Sequence, residues 1–487
     1  MSGQAHLADV VIIGFGIAGA CAALEARAAG ADVLVIERAA GGGGTSAISS
    51  GIFYLGGGTA LQRDLGVKDD TEALYDFMAA SCAVPDLAML RHFCEGSAAH
   101  FEWLEAQGIP FERRYFVDKH ICPDTTEGLL STGSEKVWPF RDIARPAARG
   151  HRTAREGGHA GSLAMEVLLR RCEEEGVRVL TDTRCIDLLG DSESGVTGVT
   201  VRRNGATEEV HARGGVILCT GGFQMNREMI ARHTPHLLDK AEPIGIPYND
   251  GSGIEMAARI GADLLAMDAV HATASFYPPS QLIKGVIVNA AGERFVAEDS
   301  YHGRIATHII EQPGGKAWLI VDAEIFAYPE LAAFFRYELV DGWETVAEME
   351  AALAMPEGAL QATLAAYNIG AAKGLDPMLG KYRDWLKPLN QGPYAAFDLS
   401  LGQALYHYHT LGGLRIDRHA AVWSRNGKPM PGLYAAGACT ANIVQTAKGY
   451  GSGMTLAAGS FFGRVAGRNA AARAYHVEQM SSPVSVI

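Results

Sequence analysis

Near the end of this 487-residue chain, the stretch KGYGSGMTLAAGSFFGR, Lys448 to Arg464, sets a tyrosine and a serine two residues apart among glycines. Glycine costs backbone entropy, so such a cluster marks a place where the backbone must come close to something. Tyr450 and Ser452 could there handle a proton. A free phenol titrates at about 10 and is a poor base at neutral pH. A hydroxyl donor such as Ser452 beside Tyr450 would stabilise the phenolate and lower that pKa. The histidine pair of YHYHTLGG has no evident third ligand for a metal. The eight cysteines (Cys21, Cys82, Cys94, Cys122, Cys172, Cys185, Cys219, Cys439) form no C-x-x-C and no zinc-type spacing.

The elements that would position such groups begin at the N-terminus. DVVIIGFGIAGACAALEARAAGADVLVIERA reads as strand, tight turn, helix and strand. Val10 to Ile13 is a continuous apolar run, as in a buried parallel strand. Gly14, Gly16 and Gly19 form G-x-G-x-x-G: the first glycine permits the turn and the second lets a pyrophosphate reach the backbone. The third lets the helix, expected from Ala20 to Ala29, pack against the strand. Glu37 follows Gly16 by 21 residues (37 − 16), where an acid accepts hydrogen bonds from a ribose. The motif alone does not separate NAD from FAD. The next segment, Glu37 to Thr59, holds glycines and small hydroxyl residues where an NAD enzyme would begin its next helix. Such a stretch suits an extended loop running along FAD.

Helical spacing covers residues 68–107, and a β-meander leads to a buried strand, Val216 to Cys219, and a second glycine turn, Thr220 to Phe223. Nucleotide signatures fade from about Met267 to Tyr408 and resume with LGGLRID and MPGLYAAGACTAN. The expected architecture is α/β: a Rossmann-type FAD-binding domain (1–266 and 409–487) interrupted by an α+β substrate-capping domain (267–408). The tail SSPVSVI reads as disordered. With 48% hydrophobic residues and a formal charge of −13, the chain is globular and ill suited to nucleic acid or an anionic membrane. It shows no signal peptide and no run able to span a bilayer, and its scattered cysteines suit the cytoplasm.

The ordered segments GFGIAGA, GGGGTSAISSG, CTGGF, NDGSGIEMA, GERFVAE, TLGGLRID and PGLYAAG resemble the flavoprotein family of fumarate reductases and 3-ketosteroid dehydrogenases, nearly end to end. The resemblance implies that Gly14, Gly16, Ala18 and Gly19 hold the pyrophosphate, and Glu37 and Arg38 the ribose end. Gly44, Thr45, Ser46 and Ser49 would line the flavin. Cys185 would offer its backbone to adenine, with Thr220 and Gly221 nearby. Asn249 and Asp250 would approach the isoalloxazine, and Gly437, Thr455 and Leu456 its ribityl and pyrimidine end. Ala438 stands where the family often has an acid. No histidine lies within residues 41–60, so FAD is expected to be non-covalent.

A fumarate-type reductase holds two carboxylates with histidines and arginines. His271 and His409 fall where the family's substrate histidines lie, but Tyr301 and His302 replace the arginine expected after RFxxE, and Arg304 lies two residues further on. EDSYHGR and GYGSG instead look like the two active-site segments of the 3-ketosteroid Δ4-(5α)-dehydrogenases, which marks Tyr301, Tyr450 and Ser452 as catalytic. The Δ1-dehydrogenases and a reductase of an unsaturated acid or enone are the alternatives, with a FAD-binding module without turnover behind them. In the expected reaction Tyr450, assisted by Ser452, takes the carbon-4 proton of a 5α-3-ketosteroid while carbon 5 gives its hydride to flavin N5. Tyr301 positions the ring and supports the relay. The aromatic residues of ASFYPP, with Phe116 or Trp138, would wall an apolar pocket. No second NAD-binding motif appears, so electrons leave to an external acceptor.

Overall fold

The computed structural model describes residues 6–121 and 123–481. Cys122 and the tail beyond Ser481 lie outside them. The β-branched run HLADVVII forms the strand His6–Ile13, which pairs in parallel with Val33–Ile36 on one side and Ala206–Leu218 on the other. Arg178–Leu180 and Pro429–Ala435 extend this parallel core outward, Ala421–Trp423 closes one edge, and the meander Thr183–Asp191 and Gly195–Arg203 joins Ala206–Leu218. The helix Ile17–Ala28 follows the glycine turn, starting earlier than the alanine run alone indicated, and ends at Gly30 with φ +86°.

The last helix, Met454–Ser481, lies against this first helix. Gly463 and Gly467 make that contact possible. An added Cβ at Gly463 would come 2.4 Å from the Ala18 carbonyl oxygen, and one at Gly467 2.2 Å from that of Ala22. Both ends of the chain therefore build one cleft wall.

A second layer carries the remaining functional segments. Val270–Thr273 and Ala241–Pro243 flank Tyr406–Thr410 in a three-stranded sheet, which joins chain from both sides of the junctions expected at 266/267 and 408/409. Four strands between Val286 and Asp398 form a further sheet. The GERFVAE segment is fixed by a buried ion cluster. Arg294 grips Glu298 at 2.7 Å and Asp376 at 3.0 Å, and Lys381 Nζ lies 3.3 Å from Glu298. That cluster sets the stem of the helix His302–Ile310, for which Tyr301 is the N-terminal flanking residue. Among the described residues no helix is long and apolar enough to cross a membrane.

Candidate active site

A cavity of about 390 Å³ runs from the Glu37–Arg38 turn, past the glycine turn, to the three-stranded sheet. At its first end the Glu37 carboxylate accepts the Phe15 N–H at 2.7 Å and the Ala39 N–H at 2.8 Å, which ties the acid to the glycine turn it follows. Gly14 has φ +99°, and an added Cβ there would lie 2.4 Å from the Cys219 carbonyl oxygen. The first helix has no side-chain cap from Gly16, so its N-terminal N–H groups face the cleft, with Ser46 Oγ accepting that of Ile17 at 3.1 Å. Thr220 Oγ1 is buried with no hydrogen-bond partner among the described residues. An open helix N-terminus, an acid one strand away and a spare buried hydroxyl fit a dinucleotide.

Nearly all the residues expected to hold FAD border this cavity: Gly14, Gly16, Ala18, Glu37, Arg38, Gly44, Thr45, Ser46, Ser49, Cys185, Thr220, Gly221, Asn249, Gly437, Thr455 and Leu456. Two do not. Gly19 faces away because an added Cβ would meet the Gly14 carbonyl oxygen at 2.0 Å, so it serves helix packing. Asp250 is drawn off by Arg38, whose guanidinium it binds at 2.6 Å. Its neighbour Asn249 does face the cavity and accepts from Thr45 Oγ1 at 2.5 Å. Ser46 sits against the glycine turn itself.

At the other end the sequence's separate motifs converge. Tyr301, Tyr450, Ser452, His271, His302 and His409 all line the cavity. His271 and His409 are cross-strand partners, with rings 5.0 Å apart. His271 stacks on Tyr450 at 4.2 Å, and His302 lies 4.0 Å from Tyr301. The close fit needs Gly303, where a Cβ would reach His271 Cε1 at 2.2 Å.

The hydroxyl pairing differs from expectation. Ser452 Oγ bonds Tyr301 Oη at 2.7 Å, while Tyr450 Oη bonds Thr455 Oγ1 at 3.2 Å. A tyrosine carries its hydroxyl a full ring beyond the reach of a serine two residues on. Ser452 therefore meets a phenol arriving from another element, and Tyr450 reaches into the first turn of the last helix.

Nor is either phenol acidified. Burial holds Tyr301 well above the usual value, Tyr450 adds to this, and Ser452 opposes it. Burial also raises Tyr450, against the Thr455 bond. The same desolvation keeps the histidines neutral. His271 lies well below its usual value, through burial and then its neighbours His409 and His302. His302 is pushed down to about 3 by burial and Lys119, and His409 to about 4 by burial.

Arg304 does not replace the missing arginine. It is turned toward the Lys448 carbonyl at 3.3 Å and the Phe140 ring, outside the cavity wall. Trp138 is 47% exposed, and Phe116, Phe276 and Tyr277 pack elsewhere than the wall. Among the described residues no cluster of histidine, cysteine or acid side chains could hold a metal. The sequence reading missed Thr273, whose hydroxyl bonds His302 Nδ1. Two-residue alternation from His271 along VHAT was the signal for it.

A family model described as FAD binding domain matches residues 9–454. The chain is 39% identical to the 3-ketosteroid-Δ4-(5α)-dehydrogenase from Rhodococcus jostii RHA1, whose crystal structure was determined in complex with 4-androstene-3,17-dione. The two structures match with a TM-score of 0.90 over 96% of this chain and 98% of that one. It is also 29% identical to a 3-oxo-5-alpha-steroid 4-dehydrogenase of Comamonas testosteroni, over 88% of this chain and 92% of the relative. A probable fumarate reductase of Shewanella frigidimarina is likewise 29% identical, over 97% and 76%.

Proposed function

The chain belongs to the FAD binding domain family, and from that premise we propose that it is an FAD-dependent oxidoreductase that converts 5α-3-ketosteroids to 4-ene-3-ketosteroids. The observation that carries this reading is the pair of phenols, Tyr301 and Tyr450, near Ser452 in a cavity end with no lysine or arginine among its described lining residues. The bordering arginines, Arg38 and Arg184, belong to the Glu37 end, and the three histidines are held neutral. A dicarboxylate would find no lysine or arginine among the described lining residues there, whereas a neutral ketone needs only a hydrogen-bond donor. The Rhodococcus and Comamonas relatives support the same choice.

Loss of a hydride beside a ketone becomes easy only as the α carbon gives up its proton and enolate character develops. FAD, when bound, supplies the acceptor for the hydride leaving carbon 5. Its dinucleotide end would lie on Gly14, Gly16, Ala18, Glu37 and Arg38, and its far end near Gly437, Thr455 and Leu456. Tyr450, whose hydroxyl pairs with Thr455 and not with Ser452, donates to the ketone oxygen. The Ser452–Tyr301 pair takes the carbon-4 proton, and whichever oxygen carries the charge is stabilised by the other's donation. Electrons then leave to an external acceptor.

The test is anaerobic mixing of the oxidised, FAD-loaded protein with 5α-androstane-3,17-dione. Bleaching of the flavin band together with a conjugated enone is the expected result. A flavin that stays oxidised, but once reduced is reoxidised by fumarate, would replace this reading with a dicarboxylate reductase.

A further inference from the structure

One strap of chain, Thr132 to Glu135, holds both members of the hydroxyl pair by their backbones. The Ser452 N–H donates to the Thr132 carbonyl at 2.9 Å, and Thr132 Oγ1 donates back to the Ser452 carbonyl at 3.0 Å. Ser134 Oγ accepts the Tyr301 N–H at 3.2 Å. The strap is pressed against the glycine loop: a Cβ at Gly451 would lie 3.2 Å from Gly133 Cα and 3.3 Å from Tyr54 Cε2. Tyr54 in turn donates its N–H to the Gly453 carbonyl at 3.1 Å and its hydroxyl to Glu135 Oε1 at 2.5 Å. Beneath them Arg149 grips Asp69 at 2.8 and 3.1 Å, with both side chains fully buried. Tyr54 and Glu135 are buried too.

Buried ionised groups are a costly way to fill a core, and apolar residues of similar size often serve stability as well. The location of this network, directly behind Tyr301 and Ser452, supplies another reason for it. We propose that Glu135, through its bond to Tyr54, anchors the strap and so sets the spacing of the Tyr301–Ser452 pair, which makes Glu135 a positioning residue for the proton step. The inference rests on the reading of that pair as the proton acceptor.

The test uses the FAD-loaded full-length enzyme, with turnover counted per bound flavin. Glu135→Ala is expected to lower kcat about 10²-fold, the scale of a misplacement near 1 Å, with KM nearly unchanged. Tyr54→Phe keeps the ring behind Gly451 but loses the bond, and is expected to follow Glu135→Ala. Glu135→Gln retains an acceptor and is expected to restore kcat to within a few-fold. In a Ser452→Ala background the further Glu135→Ala change is expected to cost almost nothing, because nothing is left to position. Equal losses in both backgrounds, or unchanged turnover per flavin in Glu135→Ala and Tyr54→Phe, would overturn the role. A crystal structure of Glu135→Ala gives a readout independent of substrate. The Tyr301–Ser452 oxygens are expected to part beyond hydrogen-bond reach, and a pair still at 2.7 Å sinks the inference. A parent enzyme that ignores the ketosteroid would instead count against the functional reading alone.

Discussion

Burial raises Tyr301 and Tyr450 alike, yet only Tyr301 shares its hydroxyl with Ser452. The two phenols therefore answer differently to pH. A base whose pKa stands above its usual value is mostly protonated at neutrality, and its active fraction grows as pH rises. On this geometry kcat/KM for a 5α-3-ketosteroid is expected to climb from pH 6 to 9 without a plateau. Tyr301→Phe is expected to flatten that climb and cut the rate about 10²–10⁴-fold. Tyr450→Phe is expected to lower the rate while keeping the slope, because it removes a donor and leaves the base. A Tyr301→Phe profile as steep as the parent's would refute the assignment. Tyr450 and Ser452 were legible from the sequence because glycines set them apart. Their pairing was not: the Tyr301–Ser452 bond closes across 151 residues, and no local pattern encodes it.

Among the elements, the strand–turn–helix–strand start was readable because its apolar runs and glycines obey short-range rules. The role of the last helix was less so. Gly459, Gly463 and Gly467 recur every four residues on one helix face, which is where another helix can approach. What they approach is the first helix, at the other end of the chain. Because Thr455 and Leu456 begin the last helix and Gly14 to Ala18 begin the first, this contact fixes the width of the proposed FAD cleft. Gly463→Val must push the helices apart, since even a Cβ would stand 2.4 Å from the Ala18 carbonyl oxygen. The expected cost is about 1–3 kcal/mol of stability, seen in urea titration, together with weaker flavin retention after gel filtration. Wild-type flavin content and an unshifted midpoint would show that the helices separate without consequence. The RFVAE motif teaches a similar lesson. The segment carries the family resemblance, and its arginine and glutamate do structural work in the buried cluster under Tyr301.

For the molecule as a whole, a neutral site has a consequence in acid. His302 is held at about 3, His151 and His409 at about 4, and His100 and His271 move the same way, all chiefly through burial. In the unfolded chain each titrates at about 6.5. Between those values the unfolded state binds more protons than the folded one, so stability is full above about pH 6.5 and falls as pH drops below it. Each histidine contributes a loss approaching about 1.4 kcal/mol per pH unit over that window. Two buried carboxyls, Glu135 and Asp299, are raised by desolvation and oppose the trend. Five histidines outweigh them. Carboxylates held low by arginine, such as Asp69 and Glu298, lose their contribution only below the ordinary carboxylate range, in a separate window. The urea midpoint is therefore expected to fall steadily from pH 7 to 5, before acid unfolding proper begins. His151 lies outside the cavity described above and bonds Thr59 Oγ1 at 2.7 Å, so it isolates the effect from that cavity. His151→Gln is expected to lower stability at pH 7 yet reduce the slope between pH 7 and 5. A parent midpoint that stays level over that range would mean the buried histidines take up protons without cost, and the neutral cavity would lose its physical basis.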